Sequence, residues 1–394
     1  MIFAHQIALD LTKDQEAYCR KAAGTARFTY NWGLAHWQMQ HRNGEQPTAL
    51  NLKKQWNAVK YERYPWLHDV HRDAHSQPFA HLSTAFRKFF RHEAQYPTFK
   101  KKRDHASFYI ANDKCQFHGK RMRIPKLGWV RMREALRFSG TLMSVTVSCV
   151  AGRWFASVAV RLDVTPQPCE NQAVVGVDLG VLTLATLSTG ERVTGPKPLR
   201  TLQKALARYS QSLSRKVQGS ANRAKAKQKL ARLHSRIACQ RKDALHKLTT
   251  HLVQHAGTIV IEDLHVKGMV KNHHLARATS DRGFGLFRHM LTYKADAAGV
   301  NLVVADRWFP SSKLCSQCGC LKEILTLAER MFLCDDCGMS MDRDLNAALN
   351  LANYPRLVGK STPVDIGALA TAQSSCETPV GEAGTNQSVH MYTS

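Results

Sequence analysis

Four of the eleven cysteines stand in two pairs whose spacing is typical of a metal site. Cys315 and Cys318 form the first pair, Cys334 and Cys337 form the second, and a glycine follows each pair. Two such turns can place four thiolates at the corners of a tetrahedron, the geometry that zinc adopts in structural sites. Redox-active dithiols and chance are the alternatives, and neither requires matching glycine turns. We expect a structural Zn²⁺ held by four thiolates, with no coordination position left for a substrate.

Three carboxylates flanked by apolar residues are the second group that could do chemistry. Asp178 lies inside VVGVDLG, Glu262 lies near the end of TIVIEDL, and Asp344 begins DLNAALNLANY. A lone charge in such a segment is costly to bury unless it binds a metal or a partner. Carboxylate oxygens are the ligands that Mg²⁺ prefers, and two such ions about 4 Å apart can support phosphodiester hydrolysis. We therefore predict a shared Mg²⁺ site, with three separately satisfied structural acids as the alternative.

Two neighbouring acids are weaker candidates for the same site. Asp342 precedes the final helix and is also suited to be its N-cap. Asp263 adjoins Glu262, but successive residues of a strand point to opposite faces of the sheet. We rank both below the three carboxylates.

The elements around these carboxylates predict an α/β domain. Alternation and turn glycines indicate three strands from VVGVDLG to ERVTG, with turns at Gly180 and Gly190. A buried strand at 258–264, a helix near 286–297 and a strand at 301–308 follow. The helix DLNAALNLANY has Asp344 on the same face as small and apolar residues, so that face can pack on the sheet.

The charge balance points to a polyanionic partner. Among 394 residues, 56 Lys and Arg against 30 Asp and Glu give a net charge of +26, while 44% of residues are hydrophobic. A folded, strongly basic protein is therefore expected, not a disordered basic tail. Neither an apolar membrane span nor a secretory signal is recognisable, so we expect an intracellular, soluble protein that binds a polyanion.

The positive charge is concentrated between Lys197 and Lys242, where fourteen Lys and Arg occur without one Asp or Glu. Leucines recur there at helical spacing on both sides of the break at 219–222, which predicts a hairpin of two basic helices. A solvated helix face normally mixes the two signs, so a phosphate backbone is the favoured partner.

The N-terminal half is predicted to combine a β domain with a helical insert. Residues 1–11 alternate like a strand, Thr12 and Gln15 form a capping box that opens a helix to about 40, and period-two patterns return from 106 to 165. Ala151-Gly152 predicts a hairpin. Phe86, Phe89 and Phe90 are interpreted as the buried face of a helix. Basic groups near aromatics complete the candidate nucleic-acid contacts, which are Lys100, Lys101, Lys102, Arg103, Arg121, Arg123, Arg215, Lys216, Arg223, Lys225, Lys227 and Lys229.

The motifs together resemble one known family. VGVDLG, LATLSTGE, IVIEDLHVKGM, WFPSSKLCSQCG, CDDCG and MDRDLNAALN, in this order, are similar to the nuclease segments and zinc ribbon of the TnpB (OrfB) proteins of insertion sequences, relatives of type V CRISPR effectors. Upstream, GTARFTYNWGL, YPWLHDV, AFRKFFR and YPTFKKKR extend the resemblance. It covers nearly the whole chain except the last forty or so residues.

The resemblance implies an α/β multidomain protein with a ribonuclease-H-like (RuvC) nuclease domain. Its expected parts are a wedge β-barrel at 1–11 and 96–165, a helical recognition insert at 12–95, a nuclease at 170–310 and 341–356, and a zinc ribbon at 311–340. The segment 357–394, rich in Ser, Thr, Gly and Ala, is expected from its composition to be a disordered tail. The resemblance also implies a prokaryotic, cytoplasmic protein that associates with the nucleoid when it acts. It also implies RNA-guided cleavage of double-stranded DNA, with a guide RNA derived from the transposon end, in support of the element's transposition or retention. Asp178, Glu262 and Asp344 take the family's three catalytic metal-binding positions.

Two other functions stay open at this stage. A catalytically silent RNA-guided DNA-binding regulator would share the basic surface but not the hydrolysis. A transposase that joins DNA strands without RNA would share the chemistry but not the guide. The presence of all three carboxylates favours the nuclease over the regulator.

Overall fold

The computed structural model describes residues 1–102, 105–163, 169–326 and 328–360. These residues form two compact units, the first from 1–163 and 196–245, the second from 169–195 and 246–360. The domain boundaries expected from the sequence stay a prediction. Of the expected tail, residues 357–360 belong to the last helix, and residues 361–394 lie outside the described part.

An antiparallel seven-stranded sheet forms the core of the first unit. Its strands are β1 (Ile2–Asp10), β2 (Ala106–Ala111), β3 (Gln116–His118), β4 (Arg121–Ile124), β5 (Gly128–Met132), β6 (Thr141–Val150) and β7 (Arg153–Arg161). The order is β2-β6-β7-β1-β5-β4-β3, which places the N-terminal strand in the middle of the sheet. Since no pairing joins the edge strands β2 and β3 in the described part of the chain, the closed barrel stays a prediction.

The hairpin between β6 and β7 has the turn that the sequence indicates. Ala151 has φ 52° and Gly152 has φ 75°, and positive values at both positions match the right-handed twist of the flanking strands. Val145 and Val147 on one strand and Val158 on the other are buried. The predicted hairpin is therefore confirmed.

Helices α1 (Lys13–Arg42) and α3 (Asp73–Phe90) pack on this sheet, and α2 (Ala49–Arg63) packs on those two helices. Thr12 and Gln15 form the predicted capping box, which satisfies two of the free N–H groups at the start of α1. A second buried cluster around Trp56 and Leu34 joins the three helices.

The interpretation of Phe90 as a core residue is wrong. Phe86 is buried and Phe89 packs against the same cluster, but Phe90 is 64% exposed. The three residues have the i, i+3, i+4 spacing of one helix face, but Phe90 is the last residue of α3. Its ring therefore lies beside those of Phe86 and Phe89 at the edge of the cluster, with most of its surface in solvent.

The predicted basic hairpin consists of α4 (Pro198–Ser214) and α5 (Ala221–His255). The break between them contains Gly219, whose φ of 85° is accessible to glycine at little cost. Leu233 and Ile237 of α5 are buried, while its basic side chains face solvent. The division between the two units falls within α5, after Leu245.

A mixed five-stranded sheet forms the core of the second unit. Its strands are β8 (Val174–Leu179), β9 (Ala185–Leu187), β10 (Arg192–Val193), β11 (Thr258–Glu262) and β12 (Asn301–Ala305). They are ordered β10-β9-β8-β11-β12, with β11 parallel to both β8 and β12 and with β9 and β10 antiparallel. The predicted turns at Gly180 and Gly190 are confirmed.

Four helices and a small hairpin complete the second unit. The helices are α6 (Val266–Lys271), α7 (Ala276–Arg282), α8 (Phe284–Ala298) and α9 (Arg343–Lys360), and the hairpin strands are β13 (Met331–Leu333) and β14 (Ser340–Asp342). Strand β12 ends earlier than predicted because the Asp306 carboxylate accepts from the backbone N–H of Trp308 and turns the chain. Helices α6 and α7 were not predicted, since their short polar sequences carry little apolar periodicity.

Candidate carboxylate site, cysteine cluster and basic surface

Asp178 and Glu262 lie side by side at the carboxyl ends of two parallel strands. Strands β8 and β11 pair with Val177 opposite Ile261, so the next position brings Asp178 beside Glu262. Paired residues of neighbouring strands point to the same face of a sheet. Both carboxylates therefore belong to one face and one edge.

Helix α9 covers that same face. Gly176, two residues before Asp178, meets the helix so closely that a Cβ on it would lie 2.0 Å from the carbonyl oxygen of Ala348. Val260, two residues before Glu262, is buried in a cluster with Leu351. Since alternate residues of a strand share a face, α9 packs on the face that carries both acids.

Asp344 reaches the site from the first turn of α9. It precedes Ala348 by about one helical turn, and Ala348 is the residue that contacts Gly176. Arg343 lies beside it, with 3.2 Å between Nη2 of the arginine and Oδ1 of Asp344. The sequence-predicted trio is thus brought together by a β8–β11 register and one helix.

The electrostatics of the trio are those of crowded negative charges. Burial raises the pKa of Asp178 well above its usual value, and the charges of Glu262 and Asp344 raise it further. Burial also raises the pKa of Glu262, while a hydrogen bond from Ser311 opposes that shift. Arg343 opposes the shift of Asp178 only in part, and a divalent cation bound here would remove the cost of ionising Asp178.

Ser311 is a site residue that the sequence reasoning missed. Its buried hydroxyl donates to Oε1 of Glu262 over 2.5 Å, and its carbonyl oxygen accepts from the side chain of Asn350 on α9. It therefore fixes the orientation of Glu262 and links the strand end to the helix. The signal available in the sequence was the pair of serines that follows the strand NLVVADRW.

Asp342 is the N-cap that its position suggested. Its Oδ1 accepts from the backbone N–H of Leu345 over 3.1 Å, and its Oδ2 is ion-paired with Arg192 at 2.9 Å. Both oxygens are therefore already engaged, which supports ranking Asp342 below Asp344.

Asp263 is likewise engaged elsewhere. Arg288 donates to its Oδ1 over 2.5 Å, and Arg307 forms an ion pair with its Oδ2. These hydrogen bonds, with Arg288 first, lower the pKa of Asp263, in the opposite direction to its neighbour Glu262. At the end of β11, Asp263 is therefore an ion-paired structural acid, whereas its neighbour Glu262 is a buried acid without an ion pair.

The four predicted cysteine ligands form a compact group. The sulfur atoms of Cys315, Cys318, Cys334 and Cys337 all lie within 4.8 Å of one another, so the group could hold a zinc ion. Among the described residues, no other set of three or more His, Cys, Asp or Glu forms such a group. Cys320 is outside the group.

Two similar turns build the cysteine cluster. The N–H of Gly319 donates to the carbonyl of Cys315, and the N–H of Gly338 donates to that of Cys334, with φ of 80° and 70° at the two glycines. Backbone N–H groups of Cys337 and Asp336 lower the pKa of Cys334 to about 6, which favours its thiolate. The predicted glycine turns are therefore present.

Most of the candidate nucleic-acid contacts are exposed side chains of the first unit. The exposed ones are Lys100, Lys101, Lys102, Arg121, Arg123, Arg215, Lys225, Lys227 and Lys229, and the half-buried ones are Lys216 and Arg223. Arg103 lies outside the described residues. The prediction that these groups contact nucleic acid stays a prediction.

Arg223 and Lys100 also have structural contacts. The guanidinium of Arg223 donates to the carbonyl oxygens of Leu213 and Lys216, at the end of α4, over 3.0 and 2.7 Å. The ammonium of Lys100 lies over the ring of Tyr30 at 4.1 Å from its centroid. Between α4 and α5, a cleft is lined by Tyr209, Ser212, Lys216, Asn222, Lys225, Ala226 and Lys229.

Across the described residues, no helix combines the length and apolar character needed to cross a bilayer.

Three family models match the chain. Residues 157–273 match one described as "Probable transposase" (OrfB_IS605), and residues 284–351 match "Cas12f1-like, TNB domain". Residues 1–46 match one described as "Helix-turn-helix domain", although in this structure they contain strand β1 and the single long helix α1.

Full-length relatives and one solved structure extend these matches. A "Putative RNA-guided DNA endonuclease" from Streptomyces pristinaespiralis is 40% identical over 349 residues, covering 86% of each chain. "Putative RNA-guided DNA endonuclease InsQ" from Escherichia coli (strain K12) is 33% identical over 358 residues, covering 86% of this chain and 88% of its own. A "Cas12f1-sgRNA-target DNA complex" shares the fold, with a TM-score of 0.55 at 14% identity over 86% of this chain and 83% of that chain.

Proposed function

Because the chain belongs to the TnpB (OrfB) family of RNA-guided DNA endonucleases, we propose that it cuts DNA in a Mg²⁺-dependent reaction at Asp178, Glu262 and Asp344. The observation that carries the proposal is the convergence of the trio. Strand register sets Asp178 beside Glu262, and the close approach of α9 to Gly176 brings Asp344 to the same face. In this proposal the five-stranded sheet and helix α9 together serve as a RuvC-like nuclease domain.

The proposed chemistry divides between the protein and its ions. Bound Mg²⁺ would activate water and stabilise the leaving oxygen of the phosphodiester. The chain's own contribution is to supply carboxylate oxygens in fixed positions. Ser311 orients Glu262, and partial burial limits the water around Asp178 and Glu262.

The partners proposed for this chain are a guide RNA from the transposon end and a double-stranded DNA target. The exposed lysines and arginines of the first unit support a phosphate-binding role, since base pairing reads the sequence while the protein grips the backbone. The four-cysteine cluster would hold a structural Zn²⁺. In the host element, cleavage would serve transposition or retention.

Cleavage by the purified protein with its guide RNA tests the proposal. We expect Mg²⁺-dependent cutting of a matched target, and a fall of about a thousandfold or more for Glu262→Gln, because one metal ligand is lost. Asp296→Asn, which removes an exposed carboxylate of α8, is the matched control and should cut like the wild type.

Two outcomes would favour the other functions. Guide-dependent binding without Mg²⁺-dependent cutting by the wild type would favour the silent regulator. Sequencing of co-purified nucleic acid that finds no defined structured RNA would favour the RNA-independent transposase.

A further inference from the structure

Trp308 is the most exposed large hydrophobic side chain in the described part of the chain. It is 85% exposed, whereas the tryptophans of the first unit range from fully buried to 44% exposed. It is also the one tryptophan in the sequence after residue 154. An indole is costly to leave in water, so its exposure calls for a physical reason.

The turn that carries Trp308 is held firmly, so the exposure is not that of a loose loop. The backbone N–H of Trp308 donates to the carboxylate of Asp306, and the N–H of Phe309 donates to the carbonyl oxygen of Asp306 over 3.1 Å. The Phe309 ring packs edge-on against Tyr354 of α9, with 4.9 Å between centroids. Pro310 follows and limits the backbone further. The turn thus presents one flat side chain to solvent while its neighbours anchor it.

Both ends of this turn adjoin Glu262. Ala305, the last residue before it, pairs with Glu262 across β11 and β12. Ser311, the residue that ends it, donates its hydroxyl to the same carboxylate. Trp308 is three positions along the chain from each of these residues, so its Cα lies at most about 11 Å from theirs. The exposed indole therefore stands at the rim of the proposed active site.

Nothing among the described residues covers the indole. It takes part in no ring contact or hydrogen bond of its side chain there, unlike Trp32 and Trp56 of the first unit, which pack in an aromatic cluster. Its sequence neighbour Arg307 is ion-paired with Asp263, so the indole itself is the group that is free to bind. An exposed aromatic face on a strongly basic protein is the chemistry that single-stranded nucleic acid recognises.

We propose that Trp308 is a stacking platform for a nucleobase of the DNA strand being cut. It is a substrate-positioning residue: stacking of one base fixes the nucleotide next to the scissile phosphate at the carboxylates. The inference rests on the proposed nuclease function, which brings a DNA strand to this edge. A protein segment seated on the indole is the competing occupant, and the test below separates the two.

Cleavage kinetics with three replacements of Trp308 provide the first readout. We expect Trp308→Leu and Trp308→Ala to raise KM for the DNA by a factor of about 5 to 100, the range of one lost base–aromatic stack. Trp308→Phe should stay within about fivefold of the wild type because it keeps a ring. Tyr293→Leu, a matched loss of an exposed aromatic in the same unit, should change little.

Abasic substitutions along the cut strand provide the second readout. Their effect on cleavage would not depend on Trp308 if this residue only stabilised the fold. For the wild type we expect one or two abasic positions near the scissile bond to lower cleavage. In Trp308→Leu those positions should cause no further loss, because the stacking partner is already gone. Equal cleavage by the Leu, Ala and wild-type proteins, or an abasic effect that survives in Trp308→Leu, would overturn the inference.

Tryptophan fluorescence keeps this test separate from that of the nuclease function. Single-stranded DNA added to the zinc-containing protein without Mg²⁺ should quench an emission component that is absent from Trp308→Leu, and an abasic strand should quench it less. If the wild type shows this quenching but never cuts, the nuclease proposal fails and the stacking site stands. If the wild type cuts and no such component is quenched, the stacking site fails, and a protein segment becomes the favoured occupant.

Discussion

The two candidate metal centres of the second unit are built in opposite ways. The four cysteines come from two short turns, and their sulfur atoms all lie within 4.8 Å of one another. The three carboxylates come from two strands and a helix far apart in the chain. We call the cysteine group the closed centre, because four thiolates leave a zinc ion no position for a substrate. We call the carboxylate trio the open centre, because Mg²⁺ held by three carboxylates would keep positions for water and a phosphate.

Their electrostatics share one feature, which is that neither group ionises fully without a cation. Backbone N–H groups lower the pKa of Cys334 to about 6, but at Cys318 a backbone hydrogen bond at Cys320 is outweighed by burial and the neighbouring thiols, which raise the pKa of Cys318 to about 12. Burial and like charges raise the pKa of Asp178 as well. The local turns thus favour one thiolate, and in both centres a bound cation would stabilise the remaining negative charge.

The largest effect is expected from breaking the closed centre. Cys337→Ser removes one of four zinc ligands, and we expect zinc content to fall from about one per chain. The hairpin around buried Phe332 should lose about 4 kcal/mol or more of its stability, because metal binding there is coupled to folding. Mass-spectrometric metal analysis and hydrogen exchange measure the two effects.

Cys320→Ser is the matched control for that variant. Cys320 lies in the same segment, but its sulfur is outside the compact group. We expect zinc content to stay at the wild-type level. Unchanged zinc in Cys337→Ser, or equal loss in both variants, would contradict the four-thiolate site.

An intermediate effect is expected from separating the elements that build the open centre. Gly176→Val would drive side-chain atoms into the backbone of α9, where even a Cβ lies 2.0 Å from the Ala348 oxygen. Overpacking of this kind costs about 1–3 kcal/mol, which thermal or urea unfolding measures. Gly285→Ala is the control, since its Cβ would meet nothing within 4 Å. Equal stability of both variants would show that α9 does not press on β8.

The smallest effect is a gain in stability from Asp178→Asn. Because the pKa of Asp178 is raised in the folded protein, stability is greatest below the carboxyl's ordinary pKa of about 4 and falls as pH rises through the raised value. Asn cannot ionise, so without Mg²⁺ the variant should melt above the wild type at pH 8. The difference should shrink toward pH 4. A variant that melts lower than the wild type at pH 8 would contradict the crowding of charges.

The closed centre could be predicted from the sequence, and the open one only in outline. Cysteine spacing with glycines such as Gly319 specifies its geometry locally. Asp178 and Glu262 could be chosen as candidates from their apolar flanks, but their adjacency depends on a parallel register between strands separated by the basic hairpin. Local patterns carry no information on that register.

Contacts made through side chains were the least predictable. The hydrogen bond from Ser311 to Glu262 and the pressing of α9 on Gly176 arise only when distant elements pack. Phe90 is an example of the same limit, because an apolar residue at helical spacing stays exposed where the helix and its packing partners end. Thr12 could be predicted because a capping box is complete within four residues.

Binding of Mn²⁺, which takes the same oxygen ligands as Mg²⁺, measures the shared site most directly. The protein with its guide RNA is titrated with Mn²⁺ in a calorimeter. We expect Asp178→Asn, Glu262→Gln and Asp344→Asn each to weaken one Mn²⁺ site by about tenfold or more. The control Asp296→Asn should keep the wild-type affinity. If any one of the three leaves that affinity at the wild-type value, the three carboxylates do not hold a common ion.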